Sequence, residues 1–345
     1  MNEHISVIIP LYNKEDTIIR AINSVLKQSY QSFEIIVIDD GSNDNSSRLV
    51  KEYSNDRIRL ICQDNRGVSS ARNKGAELSK YDLLAFLDAD DEWQDDFLAT
   101  IISMRKKFPS ASYYATCHCN KLLNTKNENL NSYQIDCNNN SVACYEFSYN
   151  SFFATFSVKN YPLQTSAVVV SKKMFFISGG YITTQKQYED WDLYYRLLVC
   201  GNLIYCPEQL SYYHNDSNQR ISKNINREMT KEQTGMIGIA ELFIKNPSGH
   251  ASIKAKLFLF DMLLAIGINA ALIGNLNLLN NIVRCAKLYK IKSLKLHFIN
   301  SVLIFKMDPK IIMFILKIKI ICNNFIKMVM NTCQRLTRWR NKQQF

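Results

Sequence analysis

Apolar residues in the first hundred positions come in short dense runs, separated by stretches of helical spacing. Residues 5–9 (Ile-Ser-Val-Ile-Ile) read as a strand stopped by Pro10. Residues 34–38 read as a second strand, ending in Asp39-Asp40-Gly41-Ser42; residues 57–62 and 82–87 make a third and a fourth. Between them, residues 15–28 put Ile18, Ile19, Ile22, Val25 and Leu26 at helical spacing. Asn43-Asp44 can cap a second helix, and residues 67–79 read as a third. Uninterrupted apolar runs of this length suit strands buried on both faces. Their alternation with helices predicts a parallel sheet with right-handed crossovers, an α/β fold.

The fourth strand carries the first chemical signal. Four apolar residues, Leu84 to Leu87, run into Asp88-Ala89-Asp90-Asp91. On an extended chain Asp88 and Asp90 point to the same side, and two carboxylates aimed at one point suit Mg²⁺ or Mn²⁺. The plain alternative is a strand followed by an acidic turn. Pro10, Asp39 and Asp88 all fall at carboxyl ends of predicted strands, where open α/β sheets bind ligands. The chain has no G-x-G-x-x-G and no P-loop lysine pattern. That disfavours a dinucleotide dehydrogenase and leaves a diphosphate to be neutralised by a metal and basic side chains.

The second half is less regular. Residues 120–150 are rich in Asn and read as a long variable excursion rather than a domain. Residues 165–170 resume as a strand, and 172–177 form a short helix closed by Ser178-Gly179-Gly180. The paired glycines suit either a close backbone approach to a ligand or a helix C-cap. Glu189, Asp190 and Asp192 then crowd a helix start, where acids are favoured in any case. From 229 to 305 the spacing is helical. Residues 262–283 carry no charge but hold five asparagines and two glycines, so packed helical hairpins fit better than a membrane span. Asp308-Pro309 breaks the pattern before a last helix.

The net charge of +11 changes the picture only at that end. From position 281 onward there are 14 Lys/Arg against the single acid Asp308. In the last helix Ile318, Ile321, Phe325, Val329, Leu336 and Trp339 share one face, with Lys317, Lys327, Arg335 and Arg338 opposite. A basic amphipathic helix of this kind is expected on an anionic membrane surface. Nucleic-acid binding by the same charge lacks a recognisable module. The ten cysteines form no C-x-x-C pair, and the chain opens with no signal-peptide pattern, so free thiols in a cytosolic protein are expected. Cys117-His118-Cys119, with Cys137 and Cys144, does not have standard zinc spacing.

Val7-Ile8-Ile9-Pro10-Leu11-Tyr12-Asn13, Ile38-Asp39-Asp40-Gly41-Ser42, Asn65-Arg66-Gly67 with Ala71-Arg72-Asn73, and Leu87-Asp88-Ala89-Asp90-Asp91 resemble, in order and spacing, the family-two glycosyltransferases. The resemblance covers about residues 4 to 220. It implies a GT-A fold with a Rossmann-like, mostly parallel sheet, a nucleotide-sugar donor, Mn²⁺ or Mg²⁺, and inversion at the anomeric carbon; a UDP-hexose is the expected donor. Pro10, Tyr12, Asn13, Glu15, Asp39, Asp40, Arg72, Asp88 and Ala89 would then bind the donor, with Asp39 accepting a hydrogen bond from uracil. Asp88 and Asp90 would hold the ribose and the metal-bound diphosphate. The family places its catalytic base in a Glu-Asp pair like Glu189-Asp190, with Asp190 preferred. His214 matches a histidine that often reaches the metal or diphosphate, although Tyr213 stands where the family has a basic residue. The acceptor would be a surface glycan or a lipid-linked sugar. The expected layout is a catalytic domain over 1–225 (nucleotide half 1–105, acceptor half 106–225), a helical region over 226–308 and the membrane-associating helix over 309–345. The rivals are a sugar nucleotidyltransferase, which would want a lysine near the α-phosphate, and a non-catalytic sugar-nucleotide-binding scaffold.

Overall fold

The structure is a computed structural model, and it describes residues 3–53, 55–120, 144–155, 162–185 and 188–214. All of these belong to the first of the two units into which the chain divides, Met1–Asp261 and Met262–Phe345. The expected boundaries at 225 and 308, the helical region and the basic helix lie outside the described residues. Among those described, no helix is long and apolar enough to cross a membrane.

Four strands form the expected parallel run: β1 (Ile5–Leu11), β2 (Phe33–Asp39), β3 (Ile58–Cys62) and β4 (Leu83–Phe86), in the order β3-β2-β1-β4. Every residue of β1, β2 and β4 is buried, as their unbroken apolar runs require. Helices cover both faces. Ile5, Val7 and Ile9 pack in one cluster with Ile18, Ile22 and Val25 of α1 (Ile18–Leu26), Val50 of α2 (Ser46–Glu52) and Phe97 and Ile101 of α4 (Phe97–Lys107). On the other face α3 (Val68–Leu78) lies so close to β1 that a Cβ at Gly75 would collide with Ile8. The remaining strands are β5 (Glu92–Trp93), β6 (Tyr113–Asn120), β7 (Tyr145–Phe147), β8 (Val168–Ser171) and β9 (Leu203–Tyr213). They continue the sheet as β8-β6-β9-β5, with β7 also on β9. Here the pairing turns mixed: β8 runs antiparallel to β4 and β6, and β6 runs parallel to β9.

Three local expectations are corrected. Pro10 does not stop the first strand, which runs on to Leu11. The carbonyl of Ile8 accepts from Leu87 on the β4 side, and alternate residues of a strand face the same neighbour. Pro10 therefore turns its missing N–H toward β4 just where β4 has ended. Residues 165–167 form a 3-10 turn and not the start of a strand, so β8 begins at Val168. The Asn-rich excursion is also not uniformly irregular, since its end supplies β7, which leads into α5 (Tyr149–Thr155).

The chain builds β3, β2 and β1 to one side and then crosses to place β4 on the other flank of β1. The gap between the carboxyl ends of β1 and β4 is thus a topological switch point, the place where such sheets bind ligands. Among the described residues the last helix, α7 (Glu189–Cys200), which follows α6 (Lys172–Ile177), brings a second acidic segment to it.

Candidate active site

Arg72 is the centre of the site. Its side chain is only 4% exposed. One guanidinium nitrogen donates to Asp88 Oδ1 at 2.7 Å and another to Glu189 Oε1 at 3.0 Å. The guanidinium carbon also lies 5.1 Å from the centre of the Tyr181 ring. Burial alone would work against its charge, but the carboxylates of Asp88 and Glu189 hold it firmly protonated. The next residue, Asn73, brackets the peptide of Tyr181: its Oδ1 accepts from Tyr181 N at 2.9 Å, and its Nδ2 donates to Tyr181 O at 2.7 Å. Two neighbouring side chains of α3 therefore fix the segment that leads into α7. The Gly179-Gly180 pair is a helix C-cap. Both residues have positive φ (85° and 63°), and Gly180 N donates back to Phe175 O.

Asp190 stands beside this ion pair in the first turn of α7. The residue as a whole keeps some exposure, but its carboxyl lies deep among protein atoms. Burial first, and then the charge of Glu189, push that carboxyl up to about 7, while Arg72 pulls the other way. Glu189 is tied to Arg72. Asp192 is buried and paired with Arg196 one turn along the helix. Burial raises the Asp192 carboxyl as well, with Arg196 pulling the other way.

Asp88, Asp90 and Asp91 do not continue the strand, contrary to the extended geometry expected from the sequence. Asp91 N donates to Asp88 O at 2.9 Å, so the segment closes into a turn beyond β4. Asp88 faces Arg72, and Asp90 faces a different cation, with its Oδ2 3.0 Å from Lys14 Nζ. Asp91 is fully buried. It accepts from Ser166 Oγ and Gln164 Nε2, both at 2.7 Å, and Ser166 Oγ accepts in turn from Asp88 N. Burial, reinforced by the Asp88 and Asp90 charges, pushes its carboxyl up to about 7. The 3-10 turn at 165–167 therefore anchors the acidic turn from below.

The other sequence-selected residues divide into two groups. Pro10, Tyr12, Asp39 and Ala89 lie at the carboxyl ends of β1, β2 and β4, with Tyr12 43% exposed at the mouth. Asp39 Oδ1 accepts from Ser42 N. Asp40, Asn13 and Glu15 also lock loops together. Asp40 accepts from the amides of Arg66 and Gly67, Asn13 from the amide of Asn43, and Glu15 from the amide of Asn45. His214, just past β9, lies 3.1 Å from Glu92 Oε1. Among the described residues no three His, Cys, Asp or Glu side chains gather as a metal cluster. The donor set at the acidic turn is carboxylate oxygen, which fits Mg²⁺ or Mn²⁺ if the remaining ligands come from a diphosphate and water. No site role is legible in the sequence for Lys14, Arg20, Gln164 or Ser166, and Asn73 stands out there only as part of the motif Ala71-Arg72-Asn73. The first four residues after Pro10 already contained Lys14, but nothing in the chain marked Gln164 or Ser166.

The model of glycosyl transferase family 2 matches residues 6–162. The Escherichia coli protein named UDP-Glc:alpha-D-GlcNAc-diphosphoundecaprenol beta-1,3-glucosyltransferase WfgD is 32% identical over 251 residues, 70% of this chain and 87% of that one. The chain belongs to glycosyl transferase family 2. It is also 42% identical over 102 residues to the glycosyltransferase YibD of Escherichia coli, covering 29% of this chain and 30% of that one. Residues 1–349 of Staphylococcus aureus TarS, in complex with UDP-GlcNAc, superpose with a TM-score of 0.67 at 15% identity, over 87% of this chain and 88% of that one. The fold of this family-two glycosyltransferase is therefore the expected GT-A fold.

Proposed function

We propose that this glycosyltransferase moves a hexose from a UDP-sugar to a lipid-linked saccharide or growing surface glycan, with inversion, and that Asp190 is the general base. The observation that carries the reading is the Arg72 bridge. It draws the α7 acids against the strand-end carboxylates and leaves Asp190, pushed up to about 7, as a proton acceptor beside the donor site. The names of two relatives support the substrate classes. WfgD is described as taking UDP-glucose and a diphosphoundecaprenol-linked sugar, and TarS binds UDP-GlcNAc.

In this mechanism Tyr12 and Asp39 hold the base and ribose, and Asp88 and Asp90 sit under the diphosphate. Asp190 takes the proton of the acceptor hydroxyl as its oxygen bonds to the anomeric carbon. The bond from that carbon to the phosphate oxygen breaks, and its electron pair leaves with UDP. GT-A enzymes commonly use a divalent metal. Bound at Asp88 and Asp90, it would offset the charge of the departing diphosphate.

Thermal-shift measurement with a panel of nucleotide sugars, with and without Mn²⁺, tests the donor reading, because a ligand of the folded state raises its midpoint. We expect stabilisation by a UDP-sugar with Mn²⁺ in the parent chain and none in Asp90→Ala, each measured against the same protein's own midpoint without ligand. Pyrophosphate release from a nucleoside triphosphate would instead mark a nucleotidyltransferase. Residues 309–345 are proposed to hold the enzyme on an anionic inner leaflet, the surface that presents a lipid-linked acceptor. The support is their unopposed basic face and apolar stripe ending at Trp339. Liposome flotation should show anionic vesicles retaining the full chain and losing a chain truncated before 309; equal retention would rule the role out.

A further inference from the structure

Lys14 follows Tyr12-Asn13 at the end of β1, in a loop whose backbone is locked. The amides of Asn13, Lys14 and Glu15 donate to Ser42 Oγ at 3.1 Å, Ser46 Oγ at 2.8 Å and Asp44 Oδ2 at 3.1 Å. In return, the amides of Asn43 and Asn45 donate to Asn13 Oδ1 and Glu15 Oε2, both at 2.8 Å. This mutual bonding fixes where the Lys14 side chain starts. Its ammonium reaches Asp90 Oδ2 at 3.0 Å, with side-chain exposures of only 16% for Lys14 and 10% for Asp90. Arg20 fastens the same residue through its backbone, donating to Asp90 O at 2.6 Å.

The lysine therefore stands on the carboxylate assigned above to a divalent cation. An ammonium and a doubly charged ion cannot both sit on one carboxylate oxygen, because their repulsion is strongest where water is scarce. The lysine stem is long and flexible, so its head group can leave while the locked backbone stays in place. It leaves at least cost when another anion takes it, and the diphosphate of the donor is the anion that this site brings. We infer that Lys14 is an internal counter-ion of Asp90, which makes cation binding conditional on the nucleotide diphosphate. By linkage, whatever factor the nucleotide adds to cation affinity, the cation adds to nucleotide affinity. The inference rests on the reading of Asp90 as a cation ligand.

Calorimetric titration of the full chain with Mn²⁺, alone and with saturating UDP, tests it. Lys14→Met removes the charge and keeps the apolar stem, and Lys14→Arg keeps the charge. We expect Lys14→Met to bind Mn²⁺ alone more tightly, on the order of tenfold, and to lose most of the enhancement by UDP; allosteric couplings typically span about 5- to 150-fold. Lys14→Arg should behave like the parent chain. Unchanged or weaker Mn²⁺ binding by Lys14→Met, or an undiminished enhancement by UDP, would overturn the role of Lys14. Asp90→Asn separates the two readings. If Mn²⁺ binding survives in Asp90→Asn, the assignment of Asp90 itself fails. If it is lost there and Lys14→Met is indistinguishable from the parent, only the counter-ion role fails.

Discussion

Asp190→Asn is expected to lower sugar transfer by about 10²–10⁴-fold, the usual contribution of a positioned general base, while leaving donor affinity near the parent value. The amide keeps the size and most of the hydrogen bonding of the carboxyl but cannot take a proton. Trp191 N donates to Asp190 Oδ1 at 2.9 Å, and an asparagine oxygen can accept the same bond, so the start of α7 should hold. A second consequence follows from the carboxyl being pushed up to about 7. The base works only when ionised, so transfer should rise with pH through about 7 and level off above it. Donor binding should not follow that limb. Steady-state kinetics across pH, paired with UDP-sugar titrations, measures both. Near-parent turnover in Asp190→Asn would move the base to another residue.

Arg72→Met is expected to cost about 3–5 kcal/mol of stability, the scale for removing one partner of a buried ion pair. It strands Asp88 and Glu189, which the guanidinium now neutralises together at 2.7 Å and 3.0 Å. Arg72→Lys keeps a charge but lacks the planar fork that reaches two carboxylates at once. This variant should fold with a lowered unfolding midpoint, and its kinetics carry the sharper test. Arg72 favours the ionised form of Asp190. With a weaker cation there, protonation is favoured, and the acidic limb of the pH–rate profile should move to higher pH. Urea unfolding gives the stability loss, and the profile gives the shift. A limb that stays in place would mean that Arg72 acts only as a structural bridge.

The two glutamate and aspartate partners of Arg72 lie 117 and 16 positions away in the chain. The motif Ala71-Arg72-Asn73 marked the arginine as a donor-site residue, but no spacing rule links it to Glu189. The same holds for Lys14 and Asp90, 76 positions apart, and for Asp91 and Ser166, 75 apart. Ser166 was read as part of a strand, yet it lies in the turn beneath the acidic segment and supports Asp88 and Asp91 together. Asp40 and Glu15, expected at the donor site, also accept from backbone amides of neighbouring loops, bonds that no spacing along the chain signals.

The parallel half of the sheet, β1 to β4 with α1 to α3, is legible in the apolar pattern within a residue or two, except at Pro10 and at helix ends, which are shorter. The sequence also marks the strand-end acids and the Glu189-Asp190 pair. These are local properties: apolar runs and helical spacing report which side of each element is buried, and motif residues follow strand ends directly in the chain. That β8 runs antiparallel between β4 and β6, that the acidic segment is a turn, and which cation faces which carboxylate depend on the folded chain. The direction of a strand is set by where its connections return, and ion pairing is set by proximity in space. Neither leaves a period along the chain. The same proximity gives three adjacent acids different surroundings: burial and the Glu189 charge push the Asp190 carboxyl up to about 7, burial also raises that of Asp192 against the pull of Arg196, and Glu189 is paired with Arg72.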